Sequence, residues 1–299
     1  MRLGVGGGLG CGGVEVCEGF GGALNAYSPH HGTRITNTWG VTVSAHEDNA
    51  LGSYVRVDGG SPLAKAAMGV RLMVSQGSAS AAIRNNMLTL ATDPLGGTSY
   101  TNILIPNLML GAGTNAQGPY FEAFFPLSIP AGHSVAVAAQ CTHTAAQNIY
   151  VYPEFFHDLD GALKLGSAVE AVGAAAASSA GTAVTPGTSS EGAWTELGSL
   201  TNAAFHFQLG VGCADDTIAG VLYTADLAAS LPGDDTTKLI LMENVVVQTN
   251  AVEAFGARNH NLPRNYRKLP AGAKLWGRLQ SAGAADDGLT MAAYATYAA

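Results

Sequence analysis

The chain has 299 residues, enough for two domains that each bury a core, with 47% hydrophobic residues, only 12% charged ones and 39 glycines. Its formal net charge of −8 is shared by both halves, which excludes the basic field that sequence-independent nucleic-acid binding requires. No run approaches the ~18 uninterrupted apolar residues of a membrane-crossing helix, and the glycine-dominated start lacks the apolar core of a secretory leader, so we expect no membrane insertion and synthesis in a cytoplasm.

Residues 1–32 read as a glycine-rich N-terminal arm with no counterpart in the second half. Each interior glycine costs a helix roughly 1 kcal/mol relative to alanine. Gly8-Leu9-Gly10-Cys11-Gly12-Gly13 matches a dinucleotide-binding fingerprint in letters only, because strand-and-turn sequence follows where that fingerprint needs a helix. The arm is either a free tail or a segment that orders against a neighbouring subunit. Whether Cys11 and Cys17 pair is left open. His30-His31 have no spaced partner of the kind a zinc site uses.

Residues 33–158 form a first module of short apolar runs broken by turns such as Asp58-Gly59-Gly60-Ser61-Pro62 and Asp93-Pro94-Leu95-Gly96-Gly97. Strands at this spacing, without amphipathic helices between them, predict an antiparallel β-sandwich of jelly-roll or related type. Residues 129–140 read Ile-Pro-Ala-Gly-His-Ser-Val-Ala-Val-Ala-Ala-Gln, a Pro-Ala-Gly turn and then a strand. Residues 159–186 read as a linker of small residues, with helical propensity over 168–177.

Residues 187–299 repeat the first module, which makes the chain a tandem duplication. Residues 269–280, Leu-Pro-Ala-Gly-Ala-Lys-Leu-Trp-Gly-Arg-Leu-Gln, echo residues 129–140. Residues 69–74 match 206–211, 87–90 match 221–224, 103–108 match 239–245, and 148–152 match 288–292. Trp39 is paired with Trp194 as a shared entry to the module. The fold expected is therefore all-β: two tandem antiparallel β-sandwich, jelly-roll-like domains behind a glycine-rich arm. Cys141 and Cys213, at strand ends, are expected to be small core residues.

No catalytic, metal or cofactor constellation is read from the chain. His157-Asp158-Leu159-Asp160-Gly161 lacks the later ligands of a calcium loop, and whether a metal binds near Asp158 and Asp160 stays open. The doublets Asp215-Asp216, Asp234-Asp235 and Asp286-Asp287 fall at separate turns and read as solubilising surface. The candidate interface comprises two groups. Arg258, His260, Arg264, Arg267 and Lys268 concentrate positive charge in one loop, suited to an acidic partner surface. Tyr120 and Phe121 open an aromatic-rich strand whose alternate members fill the core or face a partner.

The alternating strand at 70–74, the apolar run at 103–108, and Ile-Pro-Ala-Gly leading into a strand that ends in Gln resemble a module of structural proteins in tailed bacteriophages. Lys274, Arg278 and Gln280 follow that pattern; Ser134, Ala138 and Gln140 depart from it in the first copy. The resemblance implies a non-enzymatic virion protein of a tail, neck, baseplate or fibre, assembled in the host cytoplasm, that contacts other virion proteins and copies of itself. A host-surface glycan-binding module is the alternative, with a capsid decoration protein and a polysaccharide depolymerase behind it.

Overall fold

The computed structural model describes residues 25–27, 40–46, 50–77, 84–113, 120–141, 147–157, 164–174, 181–188, 190–213, 222–250, 253–255, 268–282 and 289–298. Among them every regular element is a strand. The first domain contains β1 (Asn25–Tyr27), β2 (Val41–His46), β3 (Val55–Arg56), β4 (Gly69–Gly77), β5 (Arg84–Asp93), β6 (Asn102–Gly113), β7 (Tyr120–Phe125), β8 (Ser134–Cys141) and β9 (Gln147–His157). In one layer β1 and β2 lie end to end along β9, followed by β4 and β7. The other layer runs β3, β8, β5, β6. Two four-strand layers filled alternately by the chain in this order are a jelly roll. β2 leaves one layer for the other, pairing in parallel with β8 at Ala45 and His46, and so closes a corner of the sandwich.

The second domain repeats this order, except that β16 does not pair with β13 as β7 pairs with β4, with β10 (Ala168–Val172), β11 (Thr182–Ala183), β12 (Thr195–Ser199), β13 (Ala204–Cys213), β14 (Leu222–Ser230), β15 (Leu239–Asn250), β16 (Glu253–Phe255), β17 (Lys274–Ser281) and β18 (Leu289–Tyr297). β10 and β11 lie end to end along one edge of β18, whose other edge pairs with β13. The facing layer runs β12, β17, β14, β15. The Pro-Ala-Gly turns correspond in detail. Gly132 and Gly272 sit at φ 84° and 79°, the left-handed conformation that glycine adopts without penalty. Their amides donate to the Leu63 and Leu200 carbonyls in the same way.

Four sequence expectations change. The stretch read as a linker contains strand: β10 and β11 belong to the second sandwich, and β10, paired with β18, packs between β6 and β12. A strand enclosed on both faces needs small residues rather than alternation, which is why Ala and Val there gave no strand signal. Residues 25–27 of the arm have a counterpart as well, because β1 lies on β9 as β10 lies on β18. Trp194 precedes β12, whose Thr195 pairs with Gly277 as Val55 pairs with Val137, so it occupies the place of Tyr54, while Trp39 lies outside the described residues. Finally, Met87 corresponds to Thr224 rather than Val221, since Thr89 lies opposite Ala138 where Asp226 lies opposite Arg278. The run of alanines at 225, 228 and 229 hid the true register, and the neighbouring Val221-Leu222 supplied a false one.

The domains share one seam. β16 pairs with β15 and with β6, carrying the facing layers of both domains into one continuous sheet. Each sandwich has its own apolar core, yet Val169, Ala174, Ala292 and Tyr294 of the second domain join the core cluster of the first.

Candidate functional site

The seam is built on Asn107, whose counterpart in the second domain is Asn244. Asn107 and Asn244 are the two described non-glycine residues with positive φ, at 46° and 54°; asparagine tolerates this region because its side chain bonds locally. Each forms a bulge where β6 or β15 slips against its neighbour. The Asn107 amide donates to Thr89 Oγ1 at 3.3 Å, and its side chain accepts from Gln140 Nε2 at 3.0 Å and donates to the Ala174 carbonyl at 3.3 Å. The Tyr294 hydroxyl donates to the Asn107 carbonyl at 2.8 Å and accepts the Met109 amide at 2.7 Å. Burial raises the pKa of this phenol, so it stays a donor. Close by, Gln208 donates from Nε2 to the Phe124 carbonyl. A β-carbon at Gly210 would come within 3.0 Å of the Tyr294 ring.

The equivalent place in the second domain is open. The Asn244 amide donates to Asp226 Oδ1 at 2.6 Å, but Asn244 itself is exposed. Val246, which corresponds to Met109, is 47% exposed where Met109 is 2% exposed. Leu222 and Ile240 on the same outer face are 46% and 38% exposed.

Beside this apolar strip, β17 presents Lys274, Trp276, Arg278 and Gln280 to the outside, alternating with the buried Leu275, Gly277 and Leu279. Lys274 bridges Glu196 at 3.1 Å and Asp235 at 3.0 Å, and hydrogen bonds to those carboxylates raise its pKa. Trp276 donates from Nε1 to Ser230 Oγ at 2.9 Å and lies 3.7 Å beneath the Lys238 ammonium. Arg278 pairs with Asp226 at 2.7 Å and Glu191 at 2.5 Å, its guanidinium 4.3 Å from the Trp194 ring. In the first domain the corresponding outward positions of β8 are Ser134, Ala136, Ala138 and Gln140, all buried, with Tyr54 and Tyr100 packed against Ala136.

Of the sequence-derived candidates, Arg258, His260, Arg264 and Arg267 lie outside the described residues, and Lys268 is exposed. Tyr120 begins β7, its backbone opposite Ser75. Phe121 is 4% exposed within the first core and is therefore not an interface side chain. Cys141 is buried, as expected. The doublet Asp234-Asp235 divides its labour: Asp234 caps a turn, the amides of Thr237 and Thr236 holding it below the usual carboxylate range, while Asp235 binds Lys274. Asp158, Asp160, His30, His31, Asp215, Asp216, Asp286 and Asp287 lie outside the described residues, within which no group of three His, Cys, Asp or Glu is placed to hold a metal. A shallow groove of about 430 Å³ opens beside the first Pro-Ala-Gly turn, lined by Thr92, Asn102, Ser128, His133 and Ser167. Sequence reasoning missed Tyr294, whose place is taken by Glu154 in the other copy; its only signal in the chain was the shared Asn107 and Asn244.

No family model and no curated protein matches this chain. Among solved structures it is similar to the N-terminal CBM22-1–CBM22-2 tandem domain of Paenibacillus barcinonensis Xyn10C, at 12% identity over 93% of this chain and 91% of that one, with a TM-score of 0.23. It is also similar to the cryo-EM structure of broad bean stain virus, at 7% identity over 89% of this chain and 90% of that one, with a TM-score of 0.31. Likeness this slight leaves the function to be argued from the chain's own surfaces.

Proposed function

We propose that this protein is a non-enzymatic structural component of a tailed-phage virion, placed in a tail, neck, baseplate or fibre assembly and working through subunit contacts. The observation that carries this reading is the exposed apolar strip Leu222, Ile240 and Val246 beside the cation–tryptophan ladder of β17, where in the first domain Met109 and the outward residues of β8 are buried. Tryptophan and arginine are enriched at protein interfaces, and Lys274, Arg278 and Gln280 are the residues through which the second copy resembles the phage module. Light scattering on the purified chain tests the reading: a discrete oligomer supports it, and a monomer at every concentration removes its basis. A chain lacking residues 1–24, which keeps β1, shows whether the arm holds subunits together.

Host-glycan recognition is the second reading, favoured by Trp194 and Trp276 on one outer face. A cation already lies over each ring, however, which leaves less aromatic surface for a sugar. Specific binding on a glycan array, lost in Trp276→Ala, would move this reading to first place.

A further inference from the structure

Between the two domains, unlike surfaces meet. In the first domain β6 receives the outer face of the second domain's β10 and β13, together with Tyr294 of β18. Such a contact is heterologous, and in a duplicated chain one half-contact at each end has no domain of the same chain seated on it. At one end is the outer face of β14 and β15 in the second domain. At the other is the outer face of β9 and β4 in the first domain.

We propose that these two end faces bind each other between copies of this chain, so that subunits join head to tail in the manner of the internal seam. The inference rests on the assembly reading above and assigns the surfaces it uses. The receiving face keeps the backbone of the internal site: Asn244 has the left-handed conformation of Asn107, and the Asp226 carboxylate holds its amide as Thr89 holds that of Asn107. Apolar Val246, 47% exposed, stands where Met109 is 2% exposed, while Asp226, Arg278 and Trp276 replace Thr89, Ala138 and Ala136 beside it. The docking face is partly exposed and carries Tyr152, Phe156 and Arg71, the last paired with Glu122 at 2.6 Å and Glu154 at 3.1 Å. Aromatic side chains and arginine of this kind are the enriched components of protein interfaces. A second copy is the occupant argued for because a face equivalent to the docking one is already seated on the equivalent receiving face within the chain. Repetition of the step closes a ring if its rotation divides a full turn, and otherwise grows a filament.

The test uses the full chain in light scattering together with cysteine cross-linking. Val246→Asp places a charge in the receiving face at a half-exposed position, so folding, checked by an unchanged thermal midpoint, is expected to survive. The dissociation constant of the assembly is expected to rise by about a hundredfold or more. Leu95→Asp, in a turn and 94% exposed, is expected to leave the assembly unchanged. Chains bearing Val246→Cys mixed with chains bearing Tyr152→Cys should form a disulfide-linked pair that neither forms alone. An oligomer indifferent to Val246→Asp overturns the inference and leaves the assembly reading standing. Self-linking of Val246→Cys, or dissociation by Val246→Asp without the mixed cross-link, overturns the head-to-tail pairing. A wild-type monomer overturns inference and assembly reading together.

Discussion

The two domains run through the same strands in the same order, yet the outward faces of β8 and β17 have diverged from alanine to a charged ladder. In the first domain Thr89 faces Ala138, a neutral pair beneath other structure. In the second, Asp226 faces Arg278, and the 3% exposed carboxylate binds both that guanidinium and the Asn244 amide. One fold can thus carry a packed seam or an ionic surface at the same coordinates. What decides between them is whether the face has a neighbour within the chain.

The largest expected effect comes from breaking the ionic version. Arg278→Ala leaves the Asp226 carboxylate enclosed without its cation and is expected to cost about 3–5 kcal/mol in urea unfolding. Installing the first domain's pair, Asp226→Thr with Arg278→Ala, should recover most of that loss, because the buried charge leaves with its partner. A double variant as unstable as the single one would show that the two faces are not interchangeable.

Next in size is the seam. Tyr294→Phe leaves the Asn107 carbonyl and the Met109 amide without their shared partner, each costing about 1–2 kcal/mol. Glu154 holds the corresponding position in β9, where it belongs to a partly exposed ion pair. Glu154→Gln is accordingly expected to change stability by less than about 1 kcal/mol. Equal effects at the two positions would contradict the asymmetry of the seam.

The echo of turns and strands made the duplication and the all-β class legible, because Pro-Ala-Gly turns and alternating apolar residues are local signals. The seam was not legible. Tyr294 lies in the apolar run 289–297, whose residues are buried on both faces because a second sandwich covers the outside, and nothing in that run says which face meets its own core. β10 was hidden for the same reason, its alanines and valines being small enough to lie between two domains. The outward residues of β17 showed themselves because they remained polar.

A pH difference sharpens the comparison further. Burial pushes the His206 imidazole down from 6.5 to about 4, with Nδ1 3.1 Å from Thr296 Oγ1, while Gly69 holds the corresponding place in the first domain. A depressed folded-state value means that the unfolded chain binds the proton first. Stability is therefore full above about pH 6.5 and falls as pH drops towards 4, by roughly 2–3 kcal/mol over that window. His206→Gln should flatten the slope between pH 6.5 and 5, where most carboxylates are still ionised; an unchanged slope would place the titrating group elsewhere.

The smallest effect separates the two asparagines. Glycine at either site keeps the left-handed backbone at no steric cost, so the substitution isolates what the side chain contributes. At position 107 it removes the bonds to Gln140 and Ala174, and Asn107→Gly is expected to cost about 1–2 kcal/mol. At position 244 the bond to Asp226 comes from the backbone amide and survives. Relief of strain at φ 54° is offset by the greater freedom of glycine in the unfolded chain, so Asn244→Gly should fall within about 0.5 kcal/mol of the parent. In the assembled state that margin should widen only if another subunit's group reaches the Asn244 side chain, as Ala174 reaches that of Asn107. Thermal unfolding of both variants, above and below the concentration at which the chain assembles, reads that difference directly.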